Sequence, residues 1–221
     1  MLSSEKSRGR PTTGNERQGA TKKSDISRSQ ILDAAALLFR NQGYAATTLR
    51  QIADAIDMKA GSIYYHFASK DEILDEVLEI GERAALEAVQ QAIAALGPNA
   101  SHRSRIECAI KSHLQALLEK SVYSSANIRI YGQLPEHIKR RHRKLRGEYA
   151  KLWDELFAAA RKAGEIRANI SIVPLRMFVL GALNWTVEWF DAEHHSVDEL
   201  AERTALFIFQ GIENPSRRQT K

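Results

Sequence analysis

The spacing of apolar residues constrains the fold of this chain more than any other feature of its sequence. From Ile26 onward, apolar side chains recur at steps of three and four residues, and no alternating run bounded by turn residues suggests a strand. We therefore predict an all-α fold in which one long helix, from about 70 to 96, joins two parts. The other predicted helices are one from Ile26 to the "NQG" at 41–43, two short ones after Thr48 and up to Ala68, and helices over about 101–120, 124–133, 136–163, 172–191 and 197–212.

Capping residues mark several of these helix ends. Gly43 is suited to the left-handed conformation that closes a helix. Thr48 with Gln51, and Ser69 with Glu72, have the spacing of capping boxes, in which each cap hydroxyl accepts from a backbone amide. These signals predict where the first helix ends and where the first short helix and the long helix begin.

The composition excludes several classes of protein. The chain has 221 residues and a single cysteine, Cys108, so no disulfide can form within it. No apolar run approaches the roughly 20 residues of a membrane span. The histidines lack zinc-ligand spacing, and no Gly-rich phosphate loop follows a strand. We expect a cytoplasmic protein with no membrane contact, no enzymatic activity, no metal and no cofactor.

Positive charge is concentrated at the N-terminus. Residues 1–28 hold seven Lys or Arg against three acidic residues, which accounts for most of the net charge of +5. We predict that residues 1–24 form a disordered basic arm, because they hold almost no large apolar side chain. Its "RGRP" stretch resembles the core of an AT-hook, which would place Arg8 and Arg10 in a DNA minor groove. The alternative is a tail that is basic only for solubility.

The stretch "GSIYYHF" places Ile63, Tyr64, Tyr65, His66 and Phe67 in consecutive positions. Five neighbours point around most of a helix, so they cannot all face one core. Two short helices joined by a tight turn are typical of a helix-turn-helix, whose second helix enters the major groove. If Ile63 and Phe67 face the core, the two tyrosines and the histidine face DNA phosphates, together with Ser62.

The segment "GYAATTLRQIADAIDMKAGSIYYHFASKDEIL" resembles the DNA-binding region of the tetracycline-repressor (TetR) family, and the match runs from about Ile26 to Leu78. The resemblance implies a DNA-binding domain over 25–70, a helical ligand-binding and dimerisation domain over 71–213 and a flexible tail over 214–221. It also implies a regulator, usually a repressor, that binds a pseudo-palindromic operator as a homodimer and is released by a small molecule. The DNA-contacting residues that it implies are Thr48, Arg50, Lys59, Ala60, Gly61, Ser62, Tyr64, Tyr65, His66 and Lys70.

The last two predicted helices are apolar nearly all round, which suggests burial on two sides. By similarity to the family, they would pair with their counterparts in a second chain as a four-helix interface. A monomer's own core could produce the same pattern. The residues expected at the interface are Leu183, Val187, Phe190, Leu206 and Phe209.

The stretch "HIKRRHRKLRGEY", from His137 to Tyr149, carries cations all around its predicted helix, and aromatic residues follow. Together with "GALNWTVEWF", it resembles TetR-family regulators of fatty-acid or steroid catabolism that respond to acyl-CoA thioesters. That resemblance implies arginines that bind phosphates and rings that enclose an acyl chain. The expected effector-binding residues are Tyr131, Arg140, Arg141, Arg143, Trp153, Phe157, Phe178 and Trp185.

Ordinary packing explains the same residues, because aromatic side chains at helical spacing usually form core and basic runs usually face solvent. The chain would then be an architectural or accessory DNA-binding protein that senses no ligand.

Overall fold

The computed structural model describes the backbone of residues 15–212 and the side chains of residues 28–212. Within this range the chain is helical and contains no β-strand, which confirms the predicted all-α class. The helices are α1 (Asn15–Gln42), α2 (Leu49–Asp54), α3 (Ala60–Ile63), α4 (Lys70–Ala95), α5 (His102–Gln115), α6 (Val122–Ile130), α7 (Glu136–Lys162), α8 (Ile172–Trp189) and α9 (Val197–Ile212). A π-helical turn, Ala116–Lys120, extends α5, and a 3-10 turn, Tyr131–Gln133, extends α6.

Helix α1 begins well before the predicted start. Residues 15–24 are helical, so the prediction that they belong to a disordered arm is wrong. These residues include Glu, Arg, Gln, Ala and Lys, which favour helix, and extending an existing helix avoids the cost of nucleating a new one. The absence of large apolar residues therefore did not exclude a helix.

The predicted caps form as expected. The Thr48 hydroxyl accepts from the Gln51 backbone amide at 3.2 Å, and the Gln51 side chain accepts from the Thr48 amide at 2.8 Å, which completes the capping box at α2. Ser69 caps α4 by accepting from the Glu72 amide at 3.1 Å. Gly43 has a φ of 85°, the left-handed conformation in which its amide can bond the Phe39 carbonyl after α1.

Helices α1, α2 and α3 pack around a small core against the first turns of α4. Ile63 and Phe67 are buried in that core, as the sequence analysis predicted. The same apolar cluster continues through α4 to Leu78 and into α6, where Ala126 and Ile130 are buried. The core of the DNA-binding domain therefore extends beyond the predicted boundary at residue 70.

A second apolar cluster involves α5, the C-terminal half of α7, α8 and α9, and Trp153 and Phe157 are its largest fully buried side chains. Helix α4 passes from the first cluster to the second, which it joins at Val89. Between the two, α4 crosses α6 closely at Gly81. A Cβ at that position would lie 2.5 Å from the Tyr123 carbonyl oxygen, so only glycine permits this crossing.

Candidate functional sites

The turn after α3 presents two aromatic rings to solvent. Tyr64 is 62% exposed and Tyr65 is 89% exposed, whereas Ile63 and Phe67 on either side are buried. Tyrosine hydroxyls at such positions can donate to phosphate oxygens while their rings pack on sugars. Helix α3 itself is a single turn, shorter than the predicted segment that ended at Ala68.

The other residues predicted to contact DNA lie around α2 and α3. Thr48 is exposed and caps α2, and Arg50 is exposed with its Nε 3.8 Å from an Asp54 carboxylate oxygen. A Cβ at Gly61 would meet nothing within 4 Å, so a surface can approach the backbone there. Lys59, Ala60 and Gly61 are exposed, and Ser62 and His66 are half-buried.

Lys70 has a structural role that the sequence did not reveal. Its Nζ donates to the backbone carbonyls of Thr47 at 2.7 Å and Tyr44 at 3.0 Å, and it lies over the Tyr44 ring. Burial lowers the pKa of Lys70, although the charge of Asp71 opposes that effect. The Tyr44 hydroxyl in turn donates to Asp71. These bonds join the first turn of α4 to the loop between α1 and α2, and they leave one ammonium hydrogen available for a phosphate.

A cavity of about 400 Å³ lies between the two apolar clusters, where α4, α5, α6, α7 and α8 converge. This volume is within the range of small-molecule sites in proteins. Its apolar wall includes Ala85, Leu117, Ile128, Leu145, Ala150, Met177 and Leu180. Its polar wall includes Glu82, His113, Ser124, Asn127, Arg146, Tyr149, Arg176 and Asn184.

Three of these polar residues form a chain of hydrogen bonds across three helices. His113 Nδ1 lies 2.6 Å from the Tyr149 hydroxyl, and His113 Nε2 lies 3.1 Å from Asn184 Oδ1. Burial lowers the pKa of His113 to about 4, although the hydrogen bond to Asn184 opposes the shift. The imidazole is therefore neutral at pH 7. Burial also raises the pKa of Tyr149.

A charged cluster forms the neighbouring wall. The side chain of Glu82 is 7% exposed, and its Oε2 lies 3.0 Å from His142 Nδ1. Burial lowers the pKa of His142, but hydrogen bonds and charges from Glu82 and Asp75 outweigh that effect and raise it overall. Glu82 Oε1 has no hydrogen-bond partner among the described residues, although Arg146 Nη1 lies 3.5 Å away.

Arg146 supplies the cationic wall of the cavity. Its Nη1 donates to Asn127 Oδ1 at 3.3 Å, and its guanidinium lies 3.7 Å from the centre of the Tyr131 ring. Its side chain is one-third exposed, so part of its donor capacity is available to a ligand. Arg176 is more enclosed and donates to Asp154 at 2.8 Å.

The structure changes the predicted set of cationic residues. Arg141 is paired with Asp75, Arg143 Nη2 lies 3.6 Å from Glu136, and Arg140 faces solvent. None of these three lines the cavity, because the basic run occupies all sides of α7 and only one side faces inward. Arg146 and Arg176 line this cavity instead, and a ligand contact by the three predicted arginines stays a prediction.

The aromatic residues predicted to bind the ligand do not line this cavity directly. Trp153 and Phe157 fill the second core and do not line the cavity, although the Trp153 ring packs edge-on against His113 and Tyr149. Phe178 and Trp185 lie on the outer face of α8, 79% and 65% exposed. Tyr131 reaches the cavity wall only through its contact with Arg146.

An apolar surface on α8 and α9 remains uncovered in the single chain. Phe178, Trp185 and Trp189 on α8 and Leu206 and Phe207 on α9 are exposed. Exposed aromatic groups of this size commonly mark an interface with another protein. We refer to these five residues as the outer apolar face.

Two of the residues predicted for the dimer interface belong to the chain's own core. Leu183 and Phe209 are buried in the second cluster, so the prediction that they contact a partner is corrected. Val187 and Phe190 are half-buried, and Leu206 lies on the outer face. Helix α8 is apolar on two sides, and the pattern alone did not indicate which side packs inward.

Arg8 and Arg10, predicted to enter a minor groove, lie outside the described residues. Sequence reasoning missed Glu82, His113, Tyr149 and Asn184. A signal was present in two of them, because His113 and Asn184 are polar residues at inward positions of apolar helical patterns.

A helix-turn-helix that presents outward-facing tyrosines, and that shares α4 with an amphipathic cavity, defines a ligand-responsive DNA-binding regulator. The family models agree. That of bacterial regulatory proteins of the tetR family matches residues 31–77, and that of the tetracyclin repressor-like C-terminal domain matches residues 99–212. The chain belongs to the TetR family.

Three similar proteins match this chain over most of their length. The HTH-type transcriptional repressor KstR2 of Rhodococcus jostii (strain RHA1) is 29% identical over 194 residues, which cover 85% of this chain and 92% of the relative. A TetR/AcrR-family regulator of Thermobifida fusca YX-ER1 is 33% identical, with a TM-score of 0.62 over 84% of this chain and 98% of that one. AibR in complex with isovaleryl coenzyme A and operator DNA has the same fold, with 21% identity and a TM-score of 0.74 over 82% of this chain and 97% of that one.

Members of this family bind operator DNA, act as dimers and bind small-molecule effectors, and they are regulators and not enzymes. This assignment confirms the predicted function as a ligand-responsive DNA-binding regulator. Among the helices of the described range, none is long and apolar enough to span a membrane.

Proposed function

We propose that this protein is a cytoplasmic repressor that an acyl-CoA thioester releases from its operator, with the acyl group in the cavity between α4, α5, α6, α7 and α8. The observation that carries the proposal is the pairing, in one cavity, of apolar side chains with the incompletely satisfied guanidinium of Arg146. An apolar chain with an anionic end is the ligand chemistry that such a wall favours.

The comparisons support the same ligand class. The structure of AibR contains isovaleryl coenzyme A together with operator DNA. The cavity volume of about 400 Å³ accommodates an acyl group of modest size and not a whole coenzyme A. The nucleotide part would therefore extend beyond the cavity, and Arg146 is the exposed cation of the wall that could meet a phosphate.

The operator contacts in this proposal come from the turn around α2 and α3. Tyr64, Tyr65 and His66 would hold phosphates, and the backbone near Gly61 would approach the groove. Thr48, Arg50, Lys59, Ala60, Ser62 and Lys70 complete the proposed contact set, with Thr48 and Lys70 also serving the fold through the hydrogen bonds described above.

The proposed dimer interface is the outer apolar face. Helices α8 and α9 of two chains would cover each other's exposed rings, as in the predicted four-helix arrangement but through a different side of α8. A Trp185→Asp variant tests this, because burying an unpaired carboxylate opposes association. Sedimentation should show monomers for Trp185→Asp and dimers for the control Leu37→Asp, which changes an exposed residue of α1. Dimers in both would refute the interface.

Helix α4 connects the two functions. The cavity is lined on this helix by Gly81, Glu82 and Ala85. Lys70, on the same helix, is bonded to the DNA-binding domain. A ligand that binds more tightly when α4 has one particular orientation would favour that orientation. It would thereby change the spacing between the two DNA-binding domains of a dimer. Repression would then end when the spacing no longer matches the operator.

The experiment is fluorescence anisotropy of the purified protein on a duplex from its own upstream region, at fixed salt, with acyl-CoAs and free fatty acids as competitors. Release by acyl-CoAs is expected. Arg146→Ala should require at least about tenfold more ligand for release, because a charged hydrogen bond is lost. The matched control Arg140→Ala removes an arginine of the same helix that faces solvent, and it should respond as the parent does.

DNA binding that no acyl-CoA alters would reject the effector proposal and favour a ligand-independent accessory role. An Arg140→Ala variant that loses the response as fully as Arg146→Ala would reject the assignment of the cation.

A further inference from the structure

Three polar side chains of the cavity wall are joined by hydrogen bonds at one point. His113 comes from α5, Tyr149 from α7 and Asn184 from α8. Leu117 and Leu180, which are neighbours on the same helices, line the same space with apolar atoms. Burying polar groups costs free energy unless each finds a partner, so their presence here requires an explanation.

The directions of the hydrogen bonds follow from the chemistry of the groups. Asn184 Oδ1 can only accept, so His113 Nε2 carries the proton and donates to it across 3.1 Å. In a neutral imidazole Nδ1 then has no proton and accepts from the Tyr149 hydroxyl across 2.6 Å. With the Asn184 oxygen facing His113, the donor and acceptor roles of the three groups follow.

This arrangement leaves one donor without a partner and one acceptor only partly used. The amide nitrogen of Asn184 has no hydrogen-bond acceptor among the described residues. The Tyr149 oxygen donates its only hydrogen to His113 and interacts with the Trp153 indole, which leaves it one lone pair. Both side chains line the cavity, so the wall presents an unused N–H donor and a remaining oxygen acceptor.

We propose that the effector carries one oxygen function on its apolar part, a hydroxyl or a ketone, and that Asn184 and Tyr149 bind it. A hydroxyl fits both groups, because it accepts from the Asn184 amide and donates to the Tyr149 oxygen. A ketone fits only the Asn184 amide. A saturated acyl group leaves both unpaired. The order of affinity is therefore hydroxyl, then ketone, then plain alkyl. For the thioester portion of the ligand, this inference rests on the proposed function.

His113 is a positioning residue in this account, since it holds both contact groups and does not itself touch the ligand. A purely structural role predicts something different. If the three residues only join α5, α7 and α8, replacing them would lower the midpoint of thermal unfolding but leave the relative affinities of oxygenated and plain ligands unchanged.

The test is isothermal titration calorimetry of the dimeric protein without DNA. The probes are octanoyl-CoA and sets of its mono-hydroxy and mono-oxo derivatives, with the oxygen at successive carbons. The tightest hydroxy isomer should bind at least about tenfold more tightly than octanoyl-CoA, as expected when a buried donor and acceptor both gain partners. The tightest oxo isomer should lie between the two.

Two variants separate the contacts. Tyr149→Phe should remove the advantage of hydroxyl over ketone while preserving that of ketone over alkyl. Asn184→Leu, which preserves volume, should bring the ketone within about twofold of the plain alkyl ligand, while the hydroxyl keeps the part of its advantage that Tyr149 supplies. Asn184→Ala serves the same purpose should the leucine variant not fold, and thermal unfolding verifies the fold of each protein.

Equal affinity of octanoyl-CoA and every oxygenated isomer for the parent protein would overturn the inference, as would a preference for ketone over alkyl that survives in Asn184→Leu. Release of DNA by acyl-CoAs without selectivity would overturn this inference alone. Selective binding without release of DNA would support it while rejecting the proposed function. An absence of binding by any acyl-CoA would overturn both.

Discussion

The buried imidazole of His113 should make the stability of this protein fall steeply in mild acid. Its pKa is lowered from 6.5 to about 4 because burial penalises the charged ring. In the unfolded chain the ring takes up a proton as the pH falls through 6.5, whereas in the folded chain it stays neutral until about pH 4. The unfolded state therefore binds more protons in this window, and stability is lost as the pH falls.

The magnitude follows from those two pKa values. Linkage gives a loss of about 2 kcal/mol between about pH 7 and about pH 5, and about 3 kcal/mol by about pH 4. Carboxylates titrate in the same range, so the contribution of His113 must be isolated by comparison. His113→Gln keeps a donor and an acceptor at the position but cannot titrate.

The assay is urea unfolding of both proteins at one protein concentration and several pH values, because the stability of a dimer depends on concentration. The free energy of unfolding of the parent should fall by about 2 kcal/mol more than that of His113→Gln between about pH 7 and about pH 5. Tyr149→Phe is the control, since it removes a hydrogen bond and keeps the imidazole. It should be less stable throughout yet retain the steep loss.

Parallel curves for the parent and His113→Gln would refute the reasoning. The charged cluster cannot imitate the effect, because the raised pKa of His142 has the opposite consequence. Protonation of His142 beside Glu82 and Asp75 adds stability at low pH, and that contribution is lost as the pH rises through the folded-state pKa.

Three further outcomes are expected. Tyr65→Ala should weaken operator binding at least about fivefold by anisotropy with a change of less than about 0.5 kcal/mol in stability, because the ring is exposed; unchanged affinity would count against a phosphate contact. Lys70→Met should destabilise the fold by about 1–3 kcal/mol in urea unfolding, since two part-buried carbonyls lose a charged donor and only that of Tyr44 keeps a second one, and unchanged stability would contradict the structural role. Gly81→Ala should lower the free energy of unfolding by about 1–3 kcal/mol, because the new Cβ clashes with the Tyr123 carbonyl. Gly61→Ala, where a Cβ meets nothing within 4 Å, should be nearly neutral by thermal or urea unfolding. Equal effects of the two substitutions would contradict the close crossing.

Much of the fold could be predicted because local signals and tertiary packing agree. The capping box at Thr48, the left-handed Gly43 and the burial of Ile63 and Phe67 all follow from spacing and side-chain chemistry. Helical periodicity also placed α9 at its observed bounds. In each case the residues involved are neighbours in sequence, so the sequence carries the information directly.

The cavity could not be predicted in the same way. Its wall combines side chains from five helices, and sequence spacing does not specify how those helices are rotated against one another. Helix α8 illustrates this: Leu183 and Trp185 are equally apolar in sequence, yet one is buried in the core and the other is on the surface. The cations of α7 pose the same problem, because Arg140 and Arg146 are distinguished only by the neighbours that they meet.

The bonds of Lys70 have a mechanical consequence. Its ammonium group and the Tyr44–Asp71 bond join the DNA-binding domain to the first turn of α4. The domain therefore moves together with that helix when the helix tilts. The crossing at Gly81 lies about 16 Å along the helix from Lys70 at the standard rise per residue. If α4 rotates as a rigid body about Gly81, a tilt of about 5° would move Lys70 by about 1.4 Å. The DNA-contacting residues beyond Lys70 would move somewhat farther. In a symmetric dimer the two displacements add to about 3 Å or more, comparable with the rise of one base pair. A ligand could therefore shift the two DNA-binding domains away from the spacing of the operator without refolding either of them.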